Sequence, residues 1–111
     1  MQPKQQVIVS GNQSNAFASS APVTVLGYAK TIVTIRNMGG TSGGTYRVQA
    51  TPKADDSLAP WVTIKSSTVL VSGDVITHKV TDPWDAVRIQ SMNTCSGNNA
   101  SMIVWVNTDP R

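Results

Sequence analysis

Trp84-Asp85-Ala86-Val87-Arg88-Ile89-Gln90-Ser91 is followed by a polar stretch through Cys95 to Asn99, and then by Ala100-Ser101-Met102-Ile103-Val104-Trp105-Val106-Asn107. Both runs are rich in β-branched and aromatic residues and short enough to be strands. The Asn, Ser and Gly between them are turn formers, so the pair is expected to make a β-hairpin. Neither run carries a recognisable catalytic constellation. Strong β-structure without chemistry points to a protein that works by contact with other proteins.

Working outward, the rest of the chain repeats this texture. Tyr46, Val48 and Ala50 alternate with Arg47, Gln49 and Thr51, which predicts one face on the core and the other toward solvent or a partner. Further runs fall at 7–9, 23–28, 31–37, 61–64, 68–71 and 75–80, with Pro52, Ser72-Gly73-Asp74 and Asp82-Pro83 as punctuation. There is no Glu, and Leu occurs only at Leu26, Leu58 and Leu70, so good helix formers are scarce where Val, Ile and Thr abound. The 111 residues are enough for one domain burying about two-thirds of its unfolded surface. The expected fold is all-β: an antiparallel β-sandwich or jelly-roll-like small barrel over residues 23–111, preceded by an extended N-terminal arm over residues 1–22.

That arm holds Val7-Ile8-Val9 and then a polar, low-complexity stretch from Gly11 to Pro22, in which Phe17 is the only Phe of the chain. An isolated aromatic in an extended segment can anchor in a neighbour's groove or fold back onto its own domain. Val7, Val9 and Phe17 are candidate partner-binding residues. The last strand is apolar on both sides, with Ile103 and Trp105 on one and Met102, Val104 and Val106 on the other, which implies that its second face is also covered. In a small domain the cover can be another subunit, so Met102, Val104 and Val106 join the candidate contact residues.

Composition narrows the function classes. Charged residues are 14% of the chain, against about 25% in an average soluble domain. The net charge of +3 comes from scattered Lys and Arg without a cluster that could track a phosphate backbone, so no nucleic-acid partner is expected. No segment approaches the roughly 18 apolar residues of a membrane span, and the apolar run after Met1–Gln6 is too short for a signal-peptide core. Synthesis in the cytosol, without export by that route and without a membrane partner, is the expectation. Cys95 is the only cysteine, which excludes an intrachain disulfide.

The residues that could carry chemistry have structural explanations. His78 is the only histidine and shares a strand face with Ile76 and Val80, as a satisfied, half-buried imidazole would; a triad would need partners that the sequence does not supply nearby. Asp55, Asp56, Asp74, Asp82 and Asp85 sit in or beside turns, where carboxylates cap local N–H groups. No loop has the spacing of a calcium motif, and one Cys with one His makes a poor zinc site. The glycines of Met38-Gly39-Gly40-Thr41-Ser42-Gly43-Gly44 precede neither a Lys-Ser/Thr pair nor a helix, so they read as a hairpin connection rather than a phosphate cradle. No catalytic residue, metal or cofactor is expected. Trp61, Trp84 and Trp105 keep a carbohydrate-binding reading open, in which exposed rings would form a stacking platform.

The succession Thr34-Ile35-Arg36-Asn37, Gly loop, Tyr46-Arg47-Val48, acidic turn, Trp61, Val71-Ser72-Gly73, Trp84-Asp85-Ala86-Val87-Arg88-Ile89 and the strand from Ala100 to Asn107 resembles small β-sandwich virion proteins of tailed bacteriophages. It is most similar to the trimeric decoration, or cement, proteins of the capsid surface. The likeness spans residues 30–108 and is a pattern of strands and turns rather than an invariant motif. It implies a non-enzymatic structural protein, synthesised in the host cytoplasm, which binds the major capsid protein on the outside of the head and bridges capsid subunits as a homotrimer. Another virion station, in the neck, tail or a head fibre, would use the same fold.

Overall fold

The computed structural model describes residues 4–12, 18–39, 44–70, 73–81, 83–93 and 101–110. Among them the chain is all-β, with strands β1 (Lys4–Asn12), β2 (Ala18–Ser19), β3 (Val23–Thr24), β4 (Lys30–Gly39), β5 (Gly44–Thr51), β6 (Val62–Leu70), β7 (Val75–Val80), β8 (Ala86–Asn93) and β9 (Ser101–Asp109). Two antiparallel sheets pack face to face. The four-stranded sheet has the order β1-β9-β4-β7; the five-stranded sheet has β2-β8-β5-β6, with β3 also pairing β8. Of the connections between β4 and β9, only β5 to β6 stays within one sheet. This alternation between sheets joins them into one sandwich.

Two expected hairpins are therefore corrected. β8 and β9 lie in different sheets, as do β4 and β5, so neither pair of consecutive strands forms a hairpin. Turn-forming residues end a strand in either arrangement, and the sheet that the next strand joins is decided by partners far away in sequence. The expected boundary at residue 22 is corrected as well. β1 pairs with β9 along its length, with a register shift between Val7 and Val9, and β2 and β3 line the edge of β8. The described residues of the expected arm are thus edge strands of both sheets.

Period-two alternation builds the core. β4 sends Thr31, Val33, Ile35 and Asn37 inward, β5 sends Tyr46, Val48 and Ala50, β8 sends Val87, Ile89 and Ser91, and β9 sends Met102, Val104, Val106 and Thr108; all are buried. Ile8, Ile64, Ile76 and Trp84 pack against the margin of this cluster. Each fully buried Val, Ile or Met contributes roughly 1.5–3 kcal/mol. Pro22, which has no N–H to give, separates β2 from β3 at the sheet edge. Around it Ser20 N–H donates to the Ile89 carbonyl (2.8 Å), and Ile89 N–H donates to Ser20 Oγ (2.9 Å), so a side chain completes the pairing.

Asp85 ties one end of the sandwich together. Its N–H donates to the Thr51 carbonyl, its carbonyl accepts from Val25 and Leu26, and its Oδ2 accepts from Ala54 N–H at 2.6 Å. At another turn, Gly73 has φ +88°, and its N–H donates to the Asn37 carbonyl at 2.9 Å. A positive φ is what glycine supplies there without steric cost.

Candidate binding surfaces

The two outer sheet faces differ in chemistry, and strand register fixes both. On the four-stranded sheet, residues opposite the buried positions of β9 and β4 form rows: Gln5-Asn107-Ile32-Lys79, Val7-Trp105-Thr34-Thr77, and Ile103-Arg36-Val75. Val7, Ile32 and Val75 are 52%, 42% and 56% exposed, and Ile103 and Trp105 are half-buried. Five apolar side chains thus lie on this face among polar ones: Arg36 stands between Ile103 and Val75, Thr34 beside Trp105, Lys79 beside Ile32, and Asp109 opposite Lys30. At one end, Lys4, Gln5, Lys30, Ile32, Asn107, Thr108 and Asp109 line a depression of about 330 Å³.

The outer face of the five-stranded sheet is polar. Arg88 on β8 lies over the Trp61 ring, 4.3 Å from guanidinium carbon to ring centroid, and its Nε–H donates to Gln49 Oε1 on β5 at 2.9 Å. Gln49 Nε2 donates in turn to Thr63 Oγ1 on β6 at 3.3 Å. Next to this chain, Gln90 Nε2 donates to Ser19 Oγ at 3.1 Å, and Arg47 stands opposite Gln90. The ladder spans three strands and restrains each member from at least one side.

Between the sheets, Tyr46 and His78 meet. The Tyr46 hydroxyl is hydrogen-bonded to His78 Nε2, with ring centroids 5.5 Å apart at 50°. Burial lowers the imidazole pKa from its ordinary value, and the nearby Lys65 ammonium lowers it further; burial raises the Tyr46 phenol. The bond therefore joins a phenol to an imidazole whose neutral form is favoured. Asp56 Oδ1 accepts from Leu58 N–H at 2.9 Å, the turn role anticipated for it. Among the described residues, no three His, Cys, Asp or Glu side chains converge on a point.

The candidate contact residues separate. Val7 lies exposed beside Trp105 on the apolar outer face. Met102, Val104 and Val106 are corrected: they are 0–1% exposed in the chain's own core, because β9 turns these alternate positions toward the opposite sheet and leaves Ile103 and Trp105 facing out. The Val9 side chain, Phe17 and Cys95 lie outside the described residues. The three tryptophans do not assemble into one platform. Trp61 stacks with Arg88 on one outer face, Trp105 lies on the opposite outer face, and Trp84 packs against the core margin. Arg88 was missed by sequence reasoning because its partner Gln49 is 39 positions away. Its place between inward-facing Val87 and Ile89 was the only local signal.

The class these features define is a two-sheet antiparallel β-sandwich. No protein-family model matches the chain, and no curated protein matches it by sequence. Solved structures share the fold. A chain of the Bacillus endospore appendages, described as a novel family of disulfide-linked pili, matches with a TM-score of 0.56 and 9% identity over 99% of this chain and 90% of that one. The SPBc2 prophage-derived protein YomS matches with a TM-score of 0.58 and 9% identity over 97% of this chain and 95% of its own. At such identity the likeness establishes the architecture.

Proposed function

We propose that the chain is a structural protein of a tailed-bacteriophage virion which binds the outer surface of the capsid and bridges capsid subunits. The observation that carries this reading is the exposed apolar face of the four-stranded sheet. Antiparallel sheets with a solvated face normally present polar residues there, whereas Val7, Ile32, Val75, Ile103 and Trp105 present hydrocarbon. Covering that face by another protein removes the cost, and a structural role needs no catalytic group. The fold is compatible: two-sheet β folds, jelly rolls among them, serve in viral shells, and one solved neighbour is prophage-derived, which is support by analogy of fold. Self-association as a trimer belongs to the same proposal, since several copies sum weak contacts by avidity.

The test is gold labelling of the encoding phage's virions with an antibody to this chain, combined with light scattering of the purified chain across a dilution series. Label on the head shell and a concentration-independent trimer are the expected results. Label confined to the neck, tail or fibres moves the protein to that station, and virions without label refute the role. Trp105→Arg, which places a charge in the apolar face without touching the core, is expected to abolish attachment to heads while retaining the wild-type melting curve.

A further inference from the structure

We propose that the loop over residues 52–60 docks onto a second copy of this chain, with Leu58 as its anchor and the depression at the end of the four-stranded sheet as its seat. Leu58 is 91% exposed, the largest fraction of any bulky apolar side chain among the described residues. A single exposed leucine is ordinary on a protein surface. The backbone beneath this one, however, is locked. Asp56 N–H donates to the Lys53 carbonyl (3.3 Å) and Ala59 N–H donates to the Asp56 carbonyl (3.1 Å), which makes two turns in succession. Asp56 Oδ1 accepts from Leu58 N–H at 2.9 Å, and Asp85 Oδ2 accepts from Ala54 N–H at 2.6 Å, so the loop is fixed both within itself and to the sandwich. An anchor presented from a fixed loop loses less entropy on binding than one that must first be ordered.

Charge and shape select the occupant. Asp55 and Asp56 precede Leu58 on the loop and both are exposed, with Lys53 as the one cation beside them. The depression carries the complement: Lys4 and Lys30 line it and Lys79 stands beside its Ile32, against the single carboxylate of Asp109, which already has a partner within its own chain. Neither Lys30 nor Lys79 nor Asp55 has an ion-pair partner among the described residues. Ile32, 42% exposed, supplies an apolar wall. At about 30 Å³ per water, the depression of about 330 Å³ holds about eleven waters, room for the four side-chain carbons of a leucine and a neighbouring carboxylate. Loop and depression lie at one end of the sandwich: Asp85 bonds both Ala54 of the loop and the Val25–Leu26 backbone, the turn there runs through Tyr28 into Lys30, and Lys4 Nζ stands 6.0 Å from the Tyr28 ring centroid. The loop joins strands of one sheet while the depression lies on the other, so the contact is head-to-tail. Repeated between copies, such a contact closes into a ring where the rotation allows. The two carboxylates disfavour an anionic membrane surface or a nucleic acid as the partner of this loop.

This contact rests on the self-association in the reading above and supplies its interface. Light scattering of the purified chain across a dilution series tests it, with melting curves to show that each variant folds. Leu58→Ser and Lys30→Glu both change exposed positions. Wild type is expected to keep its assembled mass, and each variant alone to fall to the monomer mass. Mixed in equal amounts, the two variants are expected to form a 1:1 complex, because the Leu58→Ser copy keeps a working depression and the Lys30→Glu copy keeps a working loop. A wild-type chain that is monomeric throughout overturns the contact, and virion labelling still decides the capsid role. Variants that keep the wild-type mass put the interface elsewhere and leave the trimer standing. Variants that dissociate but stay monomeric when mixed mean that loop and depression do not meet, and either of these results also overturns the proposal.

Discussion

Replacing Tyr46 by Phe removes one oxygen from the largest side chain of the core and leaves its ring in place. Tyr46 is fully buried on β5 of one sheet, and its hydroxyl reaches His78 on β7 of the other. The lost hydrogen bond is worth about 1 kcal/mol, and the half-buried His78 Nε2 left without its partner adds up to about 1 kcal/mol more, less what water recovers. The expected loss is about 1–2 kcal/mol, which for a domain of 111 residues lowers Tm by about 4–8 °C. Urea melts of wild type, Tyr46→Phe and His78→Gln at pH 7.5 and 5 check both magnitude and cause. In wild type the imidazole is held below its ordinary value of 6.5, chiefly by burial and then by Lys65, so below pH 6.5 the unfolded chain takes up a proton that the folded chain resists. Stability is therefore full above pH 6.5 and falls as the solution is acidified toward the folded value. Tyr46→Phe keeps this dependence, because burial and Lys65 remain, while His78→Gln loses it. A Phe variant within about 0.3 kcal/mol of wild type at pH 7.5, or a wild-type slope below pH 6.5 that survives in His78→Gln, would refute the reasoning.

Three further outcomes are expected. Ile35→Ala opens a cavity at a fully buried site and should cost about 2–4 kcal/mol in a denaturant melt, whereas Ile32→Ala, on the outer face of the same strand, should stay within about 0.5 kcal/mol. Gly73→Ala should cost about 1 kcal/mol by calorimetry, all of it from the backbone at φ +88°, since an added Cβ would meet nothing within 4 Å. Removing residues 1–12 should lower the circular-dichroism melting point by more than about 10 °C or abolish the cooperative transition, because β9 loses its partner along β1; an unchanged melt would mean that β1 contributes nothing to the sandwich.

What was legible in the sequence followed from alternation, and what was not followed from partners. Val75–Val80 forms a strand with the expected bounds, and Tyr46, Val48 and Ala50 are buried as their spacing implied. The runs 61–64 and 68–71 read as two strands because polar Lys65–Ser67 interrupts them. The structure has a single β6, since an edge strand tolerates polar residues facing water. The polar composition of residues 4–12 and 18–22 suggested an arm for the same reason: each segment borders a sheet on one side only. Which face of β9 would be buried was undecidable from two equally apolar sides. Burial went to the side with Val104 and Val106, whose compact side chains fit between the sheets, and left the bulky Trp105 outside. The Arg88 site depends on the register between β5 and β8, and no pattern local to either strand specifies that register.

The edges of the two sheets bear on how such a protein can associate. A free edge is a template for adding strands, and proteins guard it with bulges, lysines, prolines and short pairing. β1 carries Lys4 and the irregularity between Val7 and Val9. β6 carries two register shifts, and its Lys65 stands opposite the inward-facing Val48. β7 carries Lys79 beside the half-buried His78, and β2 and β3 are two residues each, separated by Pro22. With every edge guarded among the described residues, open-ended growth by strand addition is disfavoured and contact falls to the faces. Those faces point in opposite directions from one rigid core. One is apolar around Trp105 and Ile103; the other is hydrogen-bonded and cationic around Arg88 and Trp61. A surface that matches one is a poor match for the other, so under the proposed bridging role the two sides would take different neighbours. That difference in chemistry comes from which residues alternate outward on β9 and on β8.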